Sequence, residues 1–215
     1  MTLRTHARFV TLEGGEGAGK STVLAALRGA FEQAGIQALY TREPGGTPLA
    51  EQIRGLMLDT HHEPAVAETE LLLAFAARAQ HVRTTILPAL ESGAWVVSDR
   101  FTDASYAYQG AGRGLDAQFI ADLERRVVGI RPALTLLLDV PVEVGLQRMR
   151  GRGAADRIEG ERNDFFERVR QGYRDRAASA AESERFEVID ASQTVDAVAA
   201  QAVARLQAQI ARVLR

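Results

Sequence analysis

The chain contains no cysteine. That excludes a disulfide framework and a thiolate zinc site, and it is compatible with a reducing cytoplasm, the expected location. There is almost no excess of either charge. The formal net charge is −2, from 26 basic and 28 acidic residues, so no global field draws nucleic acid or an anionic membrane. No apolar run approaches the roughly 20 residues that a membrane helix needs. The opening stretch MTLRTHARFVTLEGG has neither a long apolar run nor a cleavage-site pattern, so no secretory signal is expected. Asparagine occurs once, at Asn163, and lysine once, at Lys20. All the other basic residues counted above are arginine. A compositional bias toward arginine accounts for that, but not for the exception.

What the sequence does contain is alternation. Its 215 residues, 46% apolar and 25% charged, suit one α/β domain spanning 1–215. Short apolar runs at 8–13, 36–41, 95–99, 134–139 and 186–190 read as buried strands. Helical patterns fill 19–34, 48–58, 67–91, 116–128, 142–150, 164–182 and 194–213, with Pro88 expected to break or kink the third. Strand–helix alternation predicts a five-stranded parallel sheet with helices on both faces. The Gly-rich and charged breaks at 42–48, 108–116 and 150–162 are too short for domain linkers. Loops that follow strand ends line the ligand crevice of such a sheet.

The first of these loops explains the lone lysine. GGEGAGKS, from Gly14 to Ser21, is G-x-x-x-x-G-K-S between a predicted strand and a predicted helix, the context of a phosphate loop. Glycines let the backbone turn its N–H groups inward, and the helix N-terminus adds partial positive charge. Gly14, Gly15, Glu16, Gly17, Ala18, Gly19, Lys20, Ser21 and Thr22 are therefore the expected ATP-binding loop. Lys20 is expected to reach the β- and γ-phosphates, and Ser21 to ligate Mg²⁺. An ammonium is a compact point charge that can follow a moving phosphoryl group, whereas a guanidinium is a broad planar fork. With one asparagine and no second lysine, the chain cannot hold the N-K-x-D motif of guanine-specific GTPases. A kinase or an ATPase remains.

Further motifs narrow this. TREPGGTPLAEQIRGLMLD (41–59), LLLAFAARAQH (71–81), VVSDRFTDASYAYQGAGRG (96–114) and RGRGAADRIEGE (150–161) accompany the phosphate loop in order. Together they closely resemble the bacterial thymidylate kinase family over nearly the whole chain. The resemblance implies a P-loop NTPase fold, transfer of a phosphoryl group from Mg-ATP to dTMP, and a homodimer. It assigns the dTMP phosphate to Arg54 and Arg100, with Arg42 a possible helper, and puts Asp99 near the Mg²⁺. It puts Glu16 near the dTMP sugar, and Phe75 and Arg78 on the thymine. Ser105 would meet the base edge, and the Tyr108 ring would pack against the deoxyribose. The chain departs from the family at Ala74, where several relatives carry the stacking aromatic, and at Ala104, where serine is usual. The phosphate loop carries no arginine, so the resemblance assigns catalytic arginine to the lid 150–162, first to Arg152 and Arg157, then to Arg150. Two alternatives stay open: another nucleotide kinase, and a P-loop protein that uses ATP as a switch.

The point-charge argument has a direct test. Lys20→Ala is expected to abolish phosphoryl transfer while the fold survives, and Lys20→Arg to be severely impaired although the charge is kept. ADP release measured on both variants decides it. An arginine variant with most of the wild-type rate would remove the argument.

Overall fold

The five apolar runs pair into one sheet. In the computed structural model, which describes residues 3–60, 63–149 and 157–215, the strands are β1 (Arg4–Gly14), β2 (Ala38–Arg42), β3 (Trp95–Asp99), β4 (Ile130–Asp139) and β5 (Phe186–Asp190). They are all parallel, in the order β2-β3-β1-β4-β5. The second half of central β1, from Phe9 to Gly14, is buried, as expected of a strand covered on both faces. Leu12 pairs with Asp99, so β1 and β3 end side by side and the loops that follow them open on one crevice. Both β1 and β4 are longer than expected. Arg4–His6 pairs with Ile130–Pro132 across a register shift between His6 and Val10, and its polar residues hid that extension.

The helices are α1 (Lys20–Gln33), α2 (Pro48–Leu58), α3 (Ala67–His81), α4 (Leu87–Glu91), α5 (Thr102–Ser105), α6 (Ala117–Leu123), α7 (Val142–Met149), α8 (Asn163–Ala178) and α9 (Val195–Val213). Alternation along β1 divides the core between two faces. Val10 and Leu12 meet Val23, Leu27 and Phe31 of α1 and Ala202 and Leu206 of α9. On the opposite face, Phe9 meets Leu71 and Phe75 of α3, Ile86, and Ile120 of α6. Phe165, Val169 and Tyr173 of α8 pack on Leu137 and Tyr108.

Pro88 does not break its helix. α3 runs into α4 through a π-helical stretch, Val82–Ile86, a local widening of the turn just before the proline. It accommodates both the missing N–H and the ring. A second such stretch, Tyr106–Gly112, extends α5. This helical segment was not expected, because YQGAGRG looks like a loop.

Beneath β1 and β4 lies a buried ion cluster. Arg185 donates to both carboxylate oxygens of Asp103 at 2.8 and 2.7 Å and to Glu182 at 2.6 Å. Arg176 donates to Asp103 at 2.9 Å. Removing one member strands the others away from water. Arg185→Met is expected to cost about 3–5 kcal/mol in urea unfolding, and adding Asp103→Leu is expected to recover part of that loss.

Candidate active site

The phosphate loop is held by a backbone contact as well as by its own turns. Gly17 has φ 68°, and a Cβ there would sit 2.0 Å from the carbonyl oxygen of Gly145. A Cβ on Gly145 would in turn meet the Glu16 carbonyl at 2.4 Å. The loop therefore rests directly on α7, and neither glycine can gain a side chain without parting them. Gly145 sits in an ordinary helical pattern and carried no signal in the sequence. Lys20, at the start of α1, donates from Nζ to the carbonyls of Gly14 and Gly15, both at 3.1 Å. Burial first, then Arg100, lowers its pKa, while Glu16, Asp99 and Glu13 oppose them.

Arg100, just past the end of β3, reaches back to this loop. Its Nη1 donates to the Gly14 carbonyl at 3.0 Å and its Nη2 to Glu16 Oε1 at 2.7 Å. The Tyr108 hydroxyl donates to the same oxygen at 2.7 Å, and the guanidinium lies 4.8 Å from the Tyr108 ring centroid. Burial disfavours the charged form of Glu16. Arg100, Lys20, the Tyr108 hydrogen bond and Arg54 outweigh it and bring the pKa down to about 2. A carboxylate inside a phosphate loop is thereby kept ionised and matched to cations.

From here a cleft of about 270 Å³ runs away from the loop, lined by Glu16, Lys20, Arg42, Arg54, Arg78, Asp99, Arg100, Ser105 and Tyr108. Arg54 donates to the Pro44 carbonyl at 3.0 Å, which leans it over the 42–48 loop. Arg42 lies at the cleft but is half-exposed and bonded to Glu51 at 2.8 Å. Arg78 is held at three points, by Glu43 at 2.5 Å, Ser105 Oγ at 3.0 Å and the Phe101 carbonyl at 3.0 Å. Glu70, Ala74 and Arg78 recur at four-residue spacing and share the cleft face of α3.

Phe75 corrects an expectation. It lies one residue, hence about 100°, around α3 from Ala74, and is 2% exposed in the core. It supports Arg78 from below, its ring centroid 4.7 Å from the guanidinium, and does not line the cleft. A second groove, beside α1, is bounded by Ala18, Gly19, Thr22, Arg148, Ala191 and Gln193. Arg148 and Gln193 belong to no motif, and only the docking of β5 and α7 beside the loop brings them together.

The lid expectation divides. Arg150 and Arg152 lie outside the described residues. Arg157 is described, and its guanidinium is already engaged. It donates to the Met57 carbonyl at 2.8 Å and to buried Glu70 at 2.5 Å, while its backbone N–H donates to Leu58. This arrangement fits an anchor on α2 and α3 rather than a cation facing the phosphate loop. Ile158 and Glu159, the next two residues, line the cleft.

The family model described as thymidylate kinase matches residues 12–202. The chain belongs to the thymidylate kinase family. A thymidylate kinase of Alkalilimnicola ehrlichii is 58% identical over 198 residues, covering 90% of this chain and 89% of the relative. One from Ectopseudomonas mendocina is 56% identical over 193 residues, covering 89% and 91%. The crystal structure of thymidylate kinase from Ehrlichia chaffeensis superposes with a TM-score of 0.75 at 30% identity, covering 94% of this chain and 98% of that one.

Magnesium is the metal expected with the family's nucleotide, and the residues fit it in a limited way. Among the described residues no group of three or more His, Cys, Asp or Glu could cage a metal. Asp99 Oδ1, however, is buried without a hydrogen-bond partner, an acceptor oxygen free for a hard cation. Mg²⁺ keeps most of its waters and takes one or two protein oxygens plus substrate phosphates. Asp99 supplies one such oxygen, and Ser21 carries a hydroxyl in the first turn of α1.

With its guanidinium spent on Glu70 and Met57, Arg157→Ala is expected to raise KM for the acceptor several-fold and to lower kcat much less. A fall in kcat of about 10²–10³ with KM unchanged, the signature of a lost transition-state contact, would return Arg157 to catalysis.

Proposed function

We propose that the chain transfers the γ-phosphoryl group of Mg-ATP to dTMP, giving dTDP. The observation that carries this reading is the single cleft that joins the phosphate loop to Arg100 and Arg54, then to Arg78 and Ser105. The order suits a nucleoside monophosphate, with its phosphate toward the loop and its base toward α3. The groove beside Arg148 and Gln193 suits the base of the triphosphate whose phosphates lie on the loop.

The nucleophile is a phosphate oxygen of dTMP. The second pKa of such a monoester is about 6, so it is largely ionised at neutral pH and needs no general base. The obstacle is the approach of two anions. Lys20 follows the γ-phosphoryl group, while Arg100 and Arg54 hold the acceptor in line. Arg152, and next in order of choice Arg150, is the proposed source of transition-state charge from the lid. Ser21 and Asp99 would hold Mg²⁺, whose charge would offset that of the phosphates. Catalysis is then positioning plus electrostatic stabilisation. Arg78 and Ser105 read the base edge. Ala74 and Ile158 stand where Phe75 was expected to supply apolar contact with the base. The reading includes a cytoplasmic setting and a homodimer, the latter supported by exposed Leu72 on α3 and Phe119 on α6.

A panel of nucleoside monophosphates in an ADP-release assay tests the reading. ADP release is expected with dTMP, much less with dUMP, and least with UMP. Release independent of any monophosphate would favour an ATP-driven switch. Tyr108 carries the sugar prediction. Tyr108→Ala should weaken dTMP use yet narrow its advantage over ribothymidine monophosphate. Tyr108→Phe should lower the rate through the lost bond to Glu16 but keep the ratio, because ring bulk excludes the 2′-hydroxyl. An unchanged ratio in the alanine variant would mean that another residue reads the sugar.

A further inference from the structure

Glu13 is a fully buried carboxylate for which the reaction as described has no use. It is the last residue but one of β1, and both its oxygens are engaged. Oε1 accepts the backbone N–H of Phe101 at 2.6 Å, and Oε2 accepts the hydroxyl of Tyr173 at 2.8 Å. Both partners are handles on Arg100. The Phe101 N–H belongs to the peptide that leaves Arg100. The Tyr173 oxygen accepts from Arg100 Nη1 at 3.1 Å. One side chain thus grips the same arginine at its backbone and, through one hydroxyl, at its guanidinium.

Arg100 needs such a grip. Its φ is 68°, the one positive value at a non-glycine residue among the described residues. That conformation is disfavoured for any residue with a Cβ and persists only where the surroundings over-determine it. The Arg100 N–H is taken by the Leu12 carbonyl at 2.9 Å, and the Ser98 hydroxyl donates to the Arg100 carbonyl at 2.7 Å. The bond from the Phe101 N–H to Glu13 completes the set. The unusual backbone turns the arginine back over β1 so that it faces Glu16 and the phosphate loop.

The geometry points to Glu13, acting with Tyr173, as a positioning residue that holds Arg100 in the orientation required to receive the acceptor phosphate. This rests on the dTMP reading above. Glu16 is the carboxylate that pairs with the Arg100 charge directly, at 2.7 Å. Glu13 contributes two hydrogen-bonding positions at a fixed separation. Burial first, then the nearby Asp103, pushes its pKa up, against Arg100, Tyr173 and Phe101. Its service is that of two hydrogen-bonding positions, and the isosteric glutamine keeps the shape and one acceptor oxygen. The amide oxygen would accept from Phe101, and the amide nitrogen would donate to the Tyr173 oxygen, reversing that bond and turning the Tyr173 O–H away from residue 13.

The test measures the affinity for dTMP and for ATP by calorimetry on wild type, Glu13→Gln, Glu13→Leu, Tyr173→Phe, Arg100→Met and the double variant Tyr173→Phe/Arg100→Met. Tyr173→Phe is expected to weaken dTMP binding about tenfold, the loss of one hydrogen bond to a charged group, and to leave ATP within about twofold. Glu13→Gln should stay within about threefold of wild type, and Glu13→Leu should lose at least as much as Tyr173→Phe. In the Arg100→Met background Tyr173→Phe should have no further effect, because residues that act through one another are not additive. The Arg100 Nε–Hε NMR signal, assigned by its loss in Arg100→Met, should broaden in Tyr173→Phe.

Should Glu13→Leu fail to fold, Glu13→Gln, Tyr173→Phe and the double variant decide alone. The inference falls if Tyr173→Phe leaves dTMP binding unchanged, if it costs the same factor with and without Arg100, or if Glu13→Gln is as damaging as Tyr173→Phe. Failure of the wild type to bind dTMP would sink the functional reading instead. The Arg100 signal would then still report whether Glu13 and Tyr173 hold the guanidinium.

Discussion

The site depends on one oxygen atom. Glu16 Oε1 accepts from Arg100 and from Tyr108, both at 2.7 Å. It thereby ties the phosphate loop after β1 to the arginine after β3 and to the helical segment that follows. Without it, Lys20, Arg54 and Arg100 would share one partly dry cleft with one fewer carboxylate to offset their repulsion, which is screened poorly there. The same cations hold the Glu16 pKa down at about 2. The carboxylate and the guanidinium each justify the other's burial. The result is an arginine whose position at the cleft is fixed by its partners.

A second layer of paired groups supports that first contact. Glu43 accepts from Arg78 and pairs with His81 Nδ1 at 3.0 Å, and His81 Nε2 faces the Thr41 hydroxyl at 2.7 Å. With Nδ1–H donating to Glu43, Nε2 is left to accept from Thr41. The chain fixes Arg78 and the start of the 42–48 loop together. Glu70 does the same on the other wall, taking Gln109 at 2.7 Å, Arg113 at 3.2 Å and Arg157. Buried carboxylates are costly unless fully partnered, and these two are partnered on both oxygens. They fasten α3 to three different loops. Rigidity at the cleft follows from satisfied polar groups as much as from apolar packing.

Much of this was legible beforehand because it is local. The strands are short apolar runs, and the phosphate loop is a contiguous motif flanked by the elements it needs. Glu16, Lys20, Arg54, Arg78, Asp99, Arg100, Ser105 and Tyr108 all reach the cleft, as the motifs suggested. Phe75 did not, and the reason is instructive. Periodicity identifies an apolar helix face, but Ala74 and Phe75 are adjacent, and only the placement of α3 on the sheet decides which of them turns toward the ligand. The 102–112 segment was missed because glycine favours loops locally, while packing of the α8 phenylalanines and of Ile120 around it favours a helix.

What the sequence by itself determined is the alternation of elements, the parallel sheet, and the Gly-rich G-x-x-x-x-G-K-S loop with its lone lysine. These depend on spacings of a few residues, where hydrophobic period and glycine freedom act directly. What only the tertiary structure decided is who meets whom across the chain. Arg157 finds Glu70 87 residues away, and Tyr173 finds Glu13 160 residues away. A glutamate near a strand end looks the same whether it faces water or sits fully buried holding an arginine's backbone. The sheet order β2-β3-β1-β4-β5 chooses between these outcomes. It sets β3 beside β1, Tyr173 of α8 reaches in to both, and those contacts, not the local residue pattern, give Glu13 its partners.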